Sequence, residues 1–376
     1  MKRNHAITTA VVVTILAILV FLQVRHWHNF DWATFRAVTS GVNIWSIIGA
    51  IACTWSCYFF RALRWSIFLR PTKHVPASRL VVPQIVGFTG LALLGRPGEF
   101  VRPYLIARRE GLAFSSQLAT WAVERVFDVA SVALLIGVNL IVASYYGDPF
   151  AKSHFAQRTA IAMLALSFGM ATVMFGLWWK SAGVANLAER ILRPISKKFA
   201  ESVCSKLRGF AEGIHTLKDG KAFLSVAVIS LVIWLTVAGS YILVLHSYPE
   251  STVTAASTGL PHVGATIRLH EMHLPHVLMV MCASMFGSVI QLPGVGGGSQ
   301  LAVISVLSNL FGTEPYNITN ELALSCGMML WLVTFMSVIP LGLVIAHLNR
   351  ISLRAVGQAS EEDAEEEIAH PHAHDA

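Results

Sequence analysis

Charged side chains are scarce in this chain: they make up 13% of its 376 residues, where a soluble domain carries about a quarter. That scarcity excludes a soluble globular enzyme and, despite a formal net charge of +7, a nucleic-acid-binding domain. Cysteine is sparse too. Cys53 and Cys57 lie in one apolar run, and Cys204, Cys282 and Cys326 are scattered, so there is neither a disulfide framework nor a zinc spacing. They read as buried small residues. No glycine-rich loop leading into Lys and Ser or Thr occurs, so no ATP-driven pump is expected. His270-Glu271-Met272-His273 approaches a zinc-protease helix, but its second histidine comes one residue too early for the i, i+4 face. With Pro275 following, His270, His273 and His276 read as an external loop. No Ser/His/Asp set can be assembled with specificity. We expect no metal, no cofactor and no enzymatic activity from these residues.

What the chain has instead is apolar length. The mean hydropathy is +0.60, and uncharged runs recur at Ala6–Val24, Val42–Phe60, Val129–Tyr146, Ala160–Trp179, Ala222–Leu245 and Leu322–Ala346. A helix crossing the hydrocarbon core needs about 20 such residues, so the pattern predicts six spans. The first run follows Lys2 and Arg3. It exceeds the apolar stretch of a cleaved leader, about 7–15 residues, and no small-x-small site follows Val24, so it is expected to remain as a span.

Charge placement orients the spans. Residues 361–376 hold seven acids and no Lys or Arg, leaving residues 1–360 at +14. With the N-terminus inside, the loops carry 22 Lys and Arg inside against 5 outside, and Arg125 stays in the membrane. Excess basic residues mark cytoplasmic loops, so both termini are expected in the cytoplasm of a multi-pass inner-membrane protein.

Two apolar segments are too short or too interrupted for comfortable spans. Leu80–Leu94 contains Pro83 and Gln84 and ends in Gly95-Arg96-Pro97-Gly98-Glu99. Val277–Leu292 runs into Pro293-Gly294-Val295-Gly296-Gly297-Gly298-Ser299-Gln300, then the short run Leu301–Phe311. Irregular backbone survives at membrane depth only where protein buries it or water reaches it. Both segments therefore read as re-entrant hairpins, the first entering from the cytoplasm and the second from outside. Residues 42–146 and 222–346 then each read span, hairpin, span in opposite orientation. That order is an inverted-topology repeat, which in transporters places the site where broken helices meet. The fold class expected is all-α and polytopic, with about six full spans plus two re-entrant hairpins. The membrane domain covers 1–350, followed by a disordered acidic, His-rich tail over 351–376.

Between the halves, Leu187, Ile191, Ile195, Phe199, Val203, Leu207, Phe210, Ile214 and Leu217 fall on one face of a helix within segment 180–221, with Lys197, Lys198, Lys206 and Arg208 elsewhere. Two readings stand: a basic amphipathic helix on anionic lipid, or a linker packed on the cytoplasmic helix ends. In the tail, His370, His372 and His374 read as a solvated segment rather than a metal site. The sequon Asn317-Ile318-Thr319 matters only in a glycosylating host.

Three segments can carry chemistry. On a helix of about 100° per residue, Trp121, Glu124, Arg125 and Asp128 share one face at the cytoplasmic start of a span. Two carboxylates four apart repel. The set makes sense if Arg125 neutralises Asp128 while a proton, a cation or a basic residue from another segment satisfies Glu124. Ionisable residues inside a membrane are functional candidates, the plain alternative being an ion-pair network that holds helices together. In the second segment, Arg96, Gly98, Glu99 and Arg102 surround a glycine–proline turn. A helix beginning near Gly98 would aim its N–H groups at an anion such as phosphate, with arginines adding bidentate donors. The plain alternative is a basic cytoplasmic loop. In the third, Gly296, Gly297 and Gln300 belong to a glycine loop that either lets backbone approach a ligand or packs thinly between helices.

At these residues the chain resembles the lysylphosphatidylglycerol synthase transmembrane-region family of flippase-like membrane proteins. The likeness rests on Gly95-Arg-Pro-Gly-Glu99 with Arg102, on Glu124-Arg-Val-Phe-Asp128 and on Pro293-Gly-Val-Gly-Gly-Gly, and covers about residues 42–350. It implies a bacterial inner-membrane protein related to lipid-translocating domains. The implied ligand is a membrane lipid: an anionic or aminoacylated phospholipid, or a glycolipid or hopanoid. Arg96, Gly98, Glu99, Arg102, Glu124, Arg125, Asp128, Gly296, Gly297 and Gln300 would contact it. Gln300 stands where the family's glycine loop commonly ends in Glu, so no charge role is expected there. No aminoacyl-transferase domain follows residue 350, so lipid lysylation is not expected of this chain alone. A second copy, or a lipid-synthesis enzyme, is the protein partner compatible with this reading.

Overall fold

The computed structural model describes residues 32–192, 219–249, 251–252, 266–267, 269–288, 291–292, 296–312, 316–352, 356 and 359. The first apolar run, most of the 180–221 segment and nearly all of the tail lie outside them. The helices are α1 (Trp32–Ser40), α2 (Ile44–Leu69), α3 (Ala77–Leu94), α4 (Val101–Glu110), α5 (Phe114–Tyr145), α6 (His154–Leu192), α7 (Gly220–Leu245), α8 (Leu274–Gly287), α9 (Gly298–Ser305), α10 (Asn320–Trp331) and α11 (Val338–Leu348). A 3-10 turn, Arg96–Glu99, joins α3 to α4, and π turns extend α9 and link α10 to α11. The fold is all-α; among the described residues the strand pairings are two-residue and antiparallel, β1 (Ser251–Thr252) with β2 (Thr266–Ile267) and β3 (Gln291–Leu292) with β4 (Gly296–Gly297).

Among the described residues six helical segments are long and apolar enough to cross a membrane: Ile44–Leu69, Ala77–Leu94, Phe114–Tyr145, His154–Gly176, Gly220–Leu245 and Asn320–Leu348. Five correspond to expected spans. The helix expected over 129–146 begins much earlier, at Phe114, so the Glu124–Asp128 segment lies well inside a 32-residue helix rather than at its start.

Side chains fix where the helices begin. Asn43 accepts a hydrogen bond from Trp45 N at the start of α2, Asp219 from Lys221 N at α7 and Thr319 from Leu322 N at α10, each satisfying an amide left over by the helix. Helices α2 and α7 run antiparallel in close contact. Thr54 Oγ1 and Ser240 Oγ are 3.1 Å apart, and Ser240 Oγ donates to Ala50 O at 3.0 Å. Small residues allow this approach and their hydroxyls bond across it, the usual adhesive between helices in lipid.

The segment Ala77–Leu94 satisfies the length criterion for a span, yet the chain turns back at its end. Gly95 adopts φ 71 and closes α3. Helix α4 then returns alongside: Gly87 lies against Arg102, Gly90 against Val101, and Gly98 against the backbone of Gly90 and Leu91. An ion pair between Lys73 Nζ and Glu110 Oε2 (3.2 Å) ties the entry to the exit. Both ends of this hairpin therefore open on the same side of the bundle, as the interrupted sequence predicts. Thr89, packed on Gly342 and donating to Val338 O at 3.3 Å, docks it on α11.

Helices α8 and α9 form the second hairpin, closed at its tip by β3 and β4, with Gly287 against Gly298. Its mouth lies at the opposite end of the bundle, beside the loop after α5. The expected external loop around His276 is instead the first turn of α8, and His276 is 1% exposed. Its Nε2 sits 3.0 Å from Tyr316 Oη and 3.8 Å from Asp148 Oδ2, and rings of Phe150 and Phe311 pack on it. We expect His276→Ala to cost about 2 kcal/mol or more, through a lost buried hydrogen bond and a cavity. It would read as a lower thermal midpoint in detergent; an unchanged midpoint would remove His276 as the clasp of this hairpin.

Candidate functional site

Four elements converge on one point inside the bundle, and three of them bring charge to it. Glu124 lies ten residues, about 15 Å, from the start of α5, and with Asp128 one turn on it faces inward. Helix α2 brings Arg61, Arg64 and Trp65, the first hairpin brings Gln84 and Phe88 from α3 and Arg102 from α4, and α7 brings Ser230 and Trp234. Arg64 and Glu124 are fully buried, and Asp128, Arg102 and Arg61 are 2%, 4% and 7% exposed.

Arg64 is the bridge. Its Nη1 donates to Asp128 Oδ1 and to Ser230 Oγ, both at 2.7 Å, and its Nη2 donates to Glu124 Oε1. Arg102 Nη1 donates to the same Glu124 oxygen at 3.0 Å and to Gln84 Oε1 at 3.1 Å. Its Nη2 lies 2.6 Å from Glu124 Oε2, an ion pair at a poor hydrogen-bonding angle. Arg61 Nη1 stands 3.5 Å from both carboxylates, and Arg125 Nη2 stands 3.3 Å from Asp128 Oδ2. Trp234 Nε1 donates to Asp128 Oδ1 at 3.2 Å.

Isolated charges at this depth would be prohibitive; they persist where paired and hydrogen-bonded. Aromatic faces add to the pairing: Arg102 lies 4.6 Å from the Trp65 ring centre and Arg61 5.1 Å from Phe88, arrangements that favour a cation. Trp65 is itself held by its Nε1 donating to Gln117 Oε1 at 3.2 Å. The glycines of the hairpin are part of the site, since a side chain at Gly87 would displace Arg102.

Against the sequence reading, the structure unites Arg102, Glu124, Arg125 and Asp128 in this cluster. Glu99 and Gly98 line a cleft beside it with Phe88, Leu91, Arg102, Trp121 and Arg125. The backbone of Arg96 belongs to the 3-10 turn, and its side chain lies outside the described residues. Helix α4 starts at Val101, three residues later than expected at Gly98. The counter-ions also differ. Arg125 is one partner of Asp128 but its side chain is 41% exposed, while the fully buried Arg64 neutralises both carboxylates. Of the three options for Glu124, basic residues from other segments are the ones the structure supplies.

Gly296, Gly297 and Gln300 do not join this site. They form the tip of the second hairpin, where Gly297 (φ 112) precedes α9 and Gln300 Oε1 accepts from Gly297 N at 3.2 Å. In this geometry Gln300 caps a helix and Gly296 pairs with Leu292. Among the described residues no group of three or more His, Cys, Asp or Glu is arranged to hold a metal.

Sequence reasoning missed Arg61, Arg64, Gln84, Ser230 and Trp234. The two arginines follow the apolar run ending at Phe60 and were absorbed by the count of cytoplasmic charges. A signal was nonetheless present: Trp65-Ser-Ile-Phe-Leu69 continues the apolar character beyond them, which is unusual for a loop.

Fold and site together define an all-α, multi-pass membrane protein in which a helical hairpin carries part of a buried arginine–carboxylate cluster. The chain matches the family described as lysylphosphatidylglycerol synthase TM region over residues 7–342, and it belongs to that family. The match starts well before the expected residue 42 and takes in the first apolar run. No curated protein and no solved structure matches the chain.

Proposed function

We propose that this protein binds the head group of a polar membrane lipid at the arginine–carboxylate cluster and carries it between the leaflets of the cytoplasmic membrane. One observation carries the reading: ionised groups from α2, α5 and the first hairpin meet about 15 Å along α5, inside a bundle of helices apolar enough to cross a membrane. Groups of this kind in a membrane interior mark substrate pathways. The two hairpins open at opposite ends of the bundle, which suits access from alternate sides. The 22-to-5 distribution of basic residues supports a cytoplasmic side for the first hairpin's mouth and both termini. A membrane-embedded transferase using Glu124 or Asp128 as base is less well supported, because each carboxylate oxygen already lies within 3.5 Å of a guanidinium.

The test is head-group-labelled lipid translocation in proteoliposomes. Wild-type protein should speed exchange above protein-free vesicles, and Arg102→Gln, if still monodisperse, should return it to the protein-free rate. No acceleration of any lipid by folded wild-type protein would sink the reading.

A further inference from the structure

The cluster's hydrogen-bond ledger is lopsided. Each oxygen of Glu124 and Asp128 has a guanidinium within 3.5 Å, and Asp128 Oδ1 also receives the Trp234 indole. Of these oxygens only Glu124 Oε2 makes no hydrogen bond, and the Arg102 guanidinium stands against it at 2.6 Å. The unmatched donors outnumber it: Arg64 Nε, Gln84 Nε2 and Arg125 Nε are buried atoms without a hydrogen-bond partner. An arginine offers five N–H donors and no acceptor, so four arginines around two carboxylates must leave donors over. The charge count agrees. Even with Glu99 included, four arginines face three carboxylates. Unpaired buried donors and surplus buried charge are both costly, and a ligand that brings acceptors and negative charge relieves both.

The opening onto the cluster fits such a ligand. Arg102 and Arg125 line a narrow cleft of about 40 Å³ whose other walls include Glu99, Phe88, Leu91 and Trp121. Charged donors and an apolar wall stand side by side, as the junction of a phosphate and a glycerol or acyl chain requires. Arg125, with its half-exposed side chain, is the donor an entering ligand meets first.

Resting on the lipid-binding reading above, we infer that the head group this site selects is an anionic phosphate ester with unmodified, net negative charge, and that aminoacylated, net cationic head groups are rejected. Recognition runs through guanidinium and amide donors to non-bridging phosphate oxygens. Glu124 and Asp128 are positioning residues that hold Arg64 and Arg102 in place and do not touch the ligand. An added lysyl group would bring a further cation to a region already in surplus and find its carboxylates taken.

Lipid retention by the purified full chain in detergent, read by native mass spectrometry, separates the alternatives. The panel is phosphatidylglycerol, lysylated phosphatidylglycerol, phosphatidylcholine and an uncharged glycolipid, with inorganic phosphate as competitor. Phosphatidylglycerol should be retained about tenfold or more over the lysylated lipid, the discrimination expected of a charge-assisted hydrogen bond. Arg125→Gln, at a half-exposed position, should cut that preference severalfold in protein that remains monodisperse, and Gln84→Leu should do so without changing any charge. Equal or stronger retention of the lysylated lipid would overturn the inference while leaving lipid binding intact. Phosphatidylglycerol retained selectively, but never translocated in vesicles, would keep the inference and remove the transport reading. Inorganic phosphate displacing the lipid at equal concentration would show that the anion site is real and that its lipid assignment is wrong.

Discussion

Arg64→Gln is expected to destabilise the protein by about 3–5 kcal/mol, the cost of removing one partner from a buried ion pair, and to abolish lipid translocation. Arg64 hydrogen-bonds Asp128, Glu124 and Ser230 together, whereas Arg61 reaches the two carboxylates only at 3.5 Å. Glutamine cannot bridge that set, so two carboxylates one helical turn apart would be left to Arg102, Arg61 and Arg125. Arg64→Lys should fall between, because a single ammonium lacks the planar fork that spans two acceptors. A specific control follows from the pairing. Adding Asp128→Asn to Arg64→Gln should recover part of the loss, since the two positions share one interaction and their effects will not add. Thermal midpoints in detergent, with translocation rates in parallel, check all three. An unchanged midpoint in Arg64→Gln would mean that the cluster is not paired as described.

Gly98→Val should be nearly as damaging by a different route. A side chain at Gly98 meets the carbonyl of Gly90 and the Cα of Leu91, which are backbone atoms of the facing helix and cannot rotate away. Overpacking of this kind costs about 1–3 kcal/mol. Separating α3 from the returning chain also pulls Arg102 off Glu124, so translocation should fall further than stability alone explains. Gly169→Ala is the matched control: nothing lies within 4 Å of that position, and alanine in a helix is favoured over glycine by about 1 kcal/mol. Loss of function in both variants alike would point to general fragility and away from hairpin packing.

Much of this protein was legible before any coordinates. The two hairpins announced themselves as apolar runs too short for a span and broken by Pro83, Gly95 and the glycines at 294–298, because a polar backbone in lipid must be satisfied locally or covered by protein. Glu124, Arg125 and Asp128 stood out because three ionisable residues on one face of an apolar helix are too costly to be idle. Gln300 was legible only as part of a glycine loop; that it caps α9 through Gly297 N is a tertiary detail that glycine richness does not reveal.

Arg61 and Arg64 mark the boundary of such reasoning. A basic residue just beyond an apolar run sits equally well among lipid head groups or inside the bundle, and its own sequence neighbourhood looks the same either way. The difference is made by Glu124 and Asp128, at least 60 residues along the chain, and by Ser230 farther still. The sequence by itself determined the membrane embedding, the order span–hairpin–span in both halves and the carboxylates of the cluster, since these follow from composition and local backbone chemistry. Only the tertiary structure decided which cations neutralise those carboxylates and which donors remain unmatched, because ion-pair energy depends on through-space distance and burial, and helix packing alone sets both.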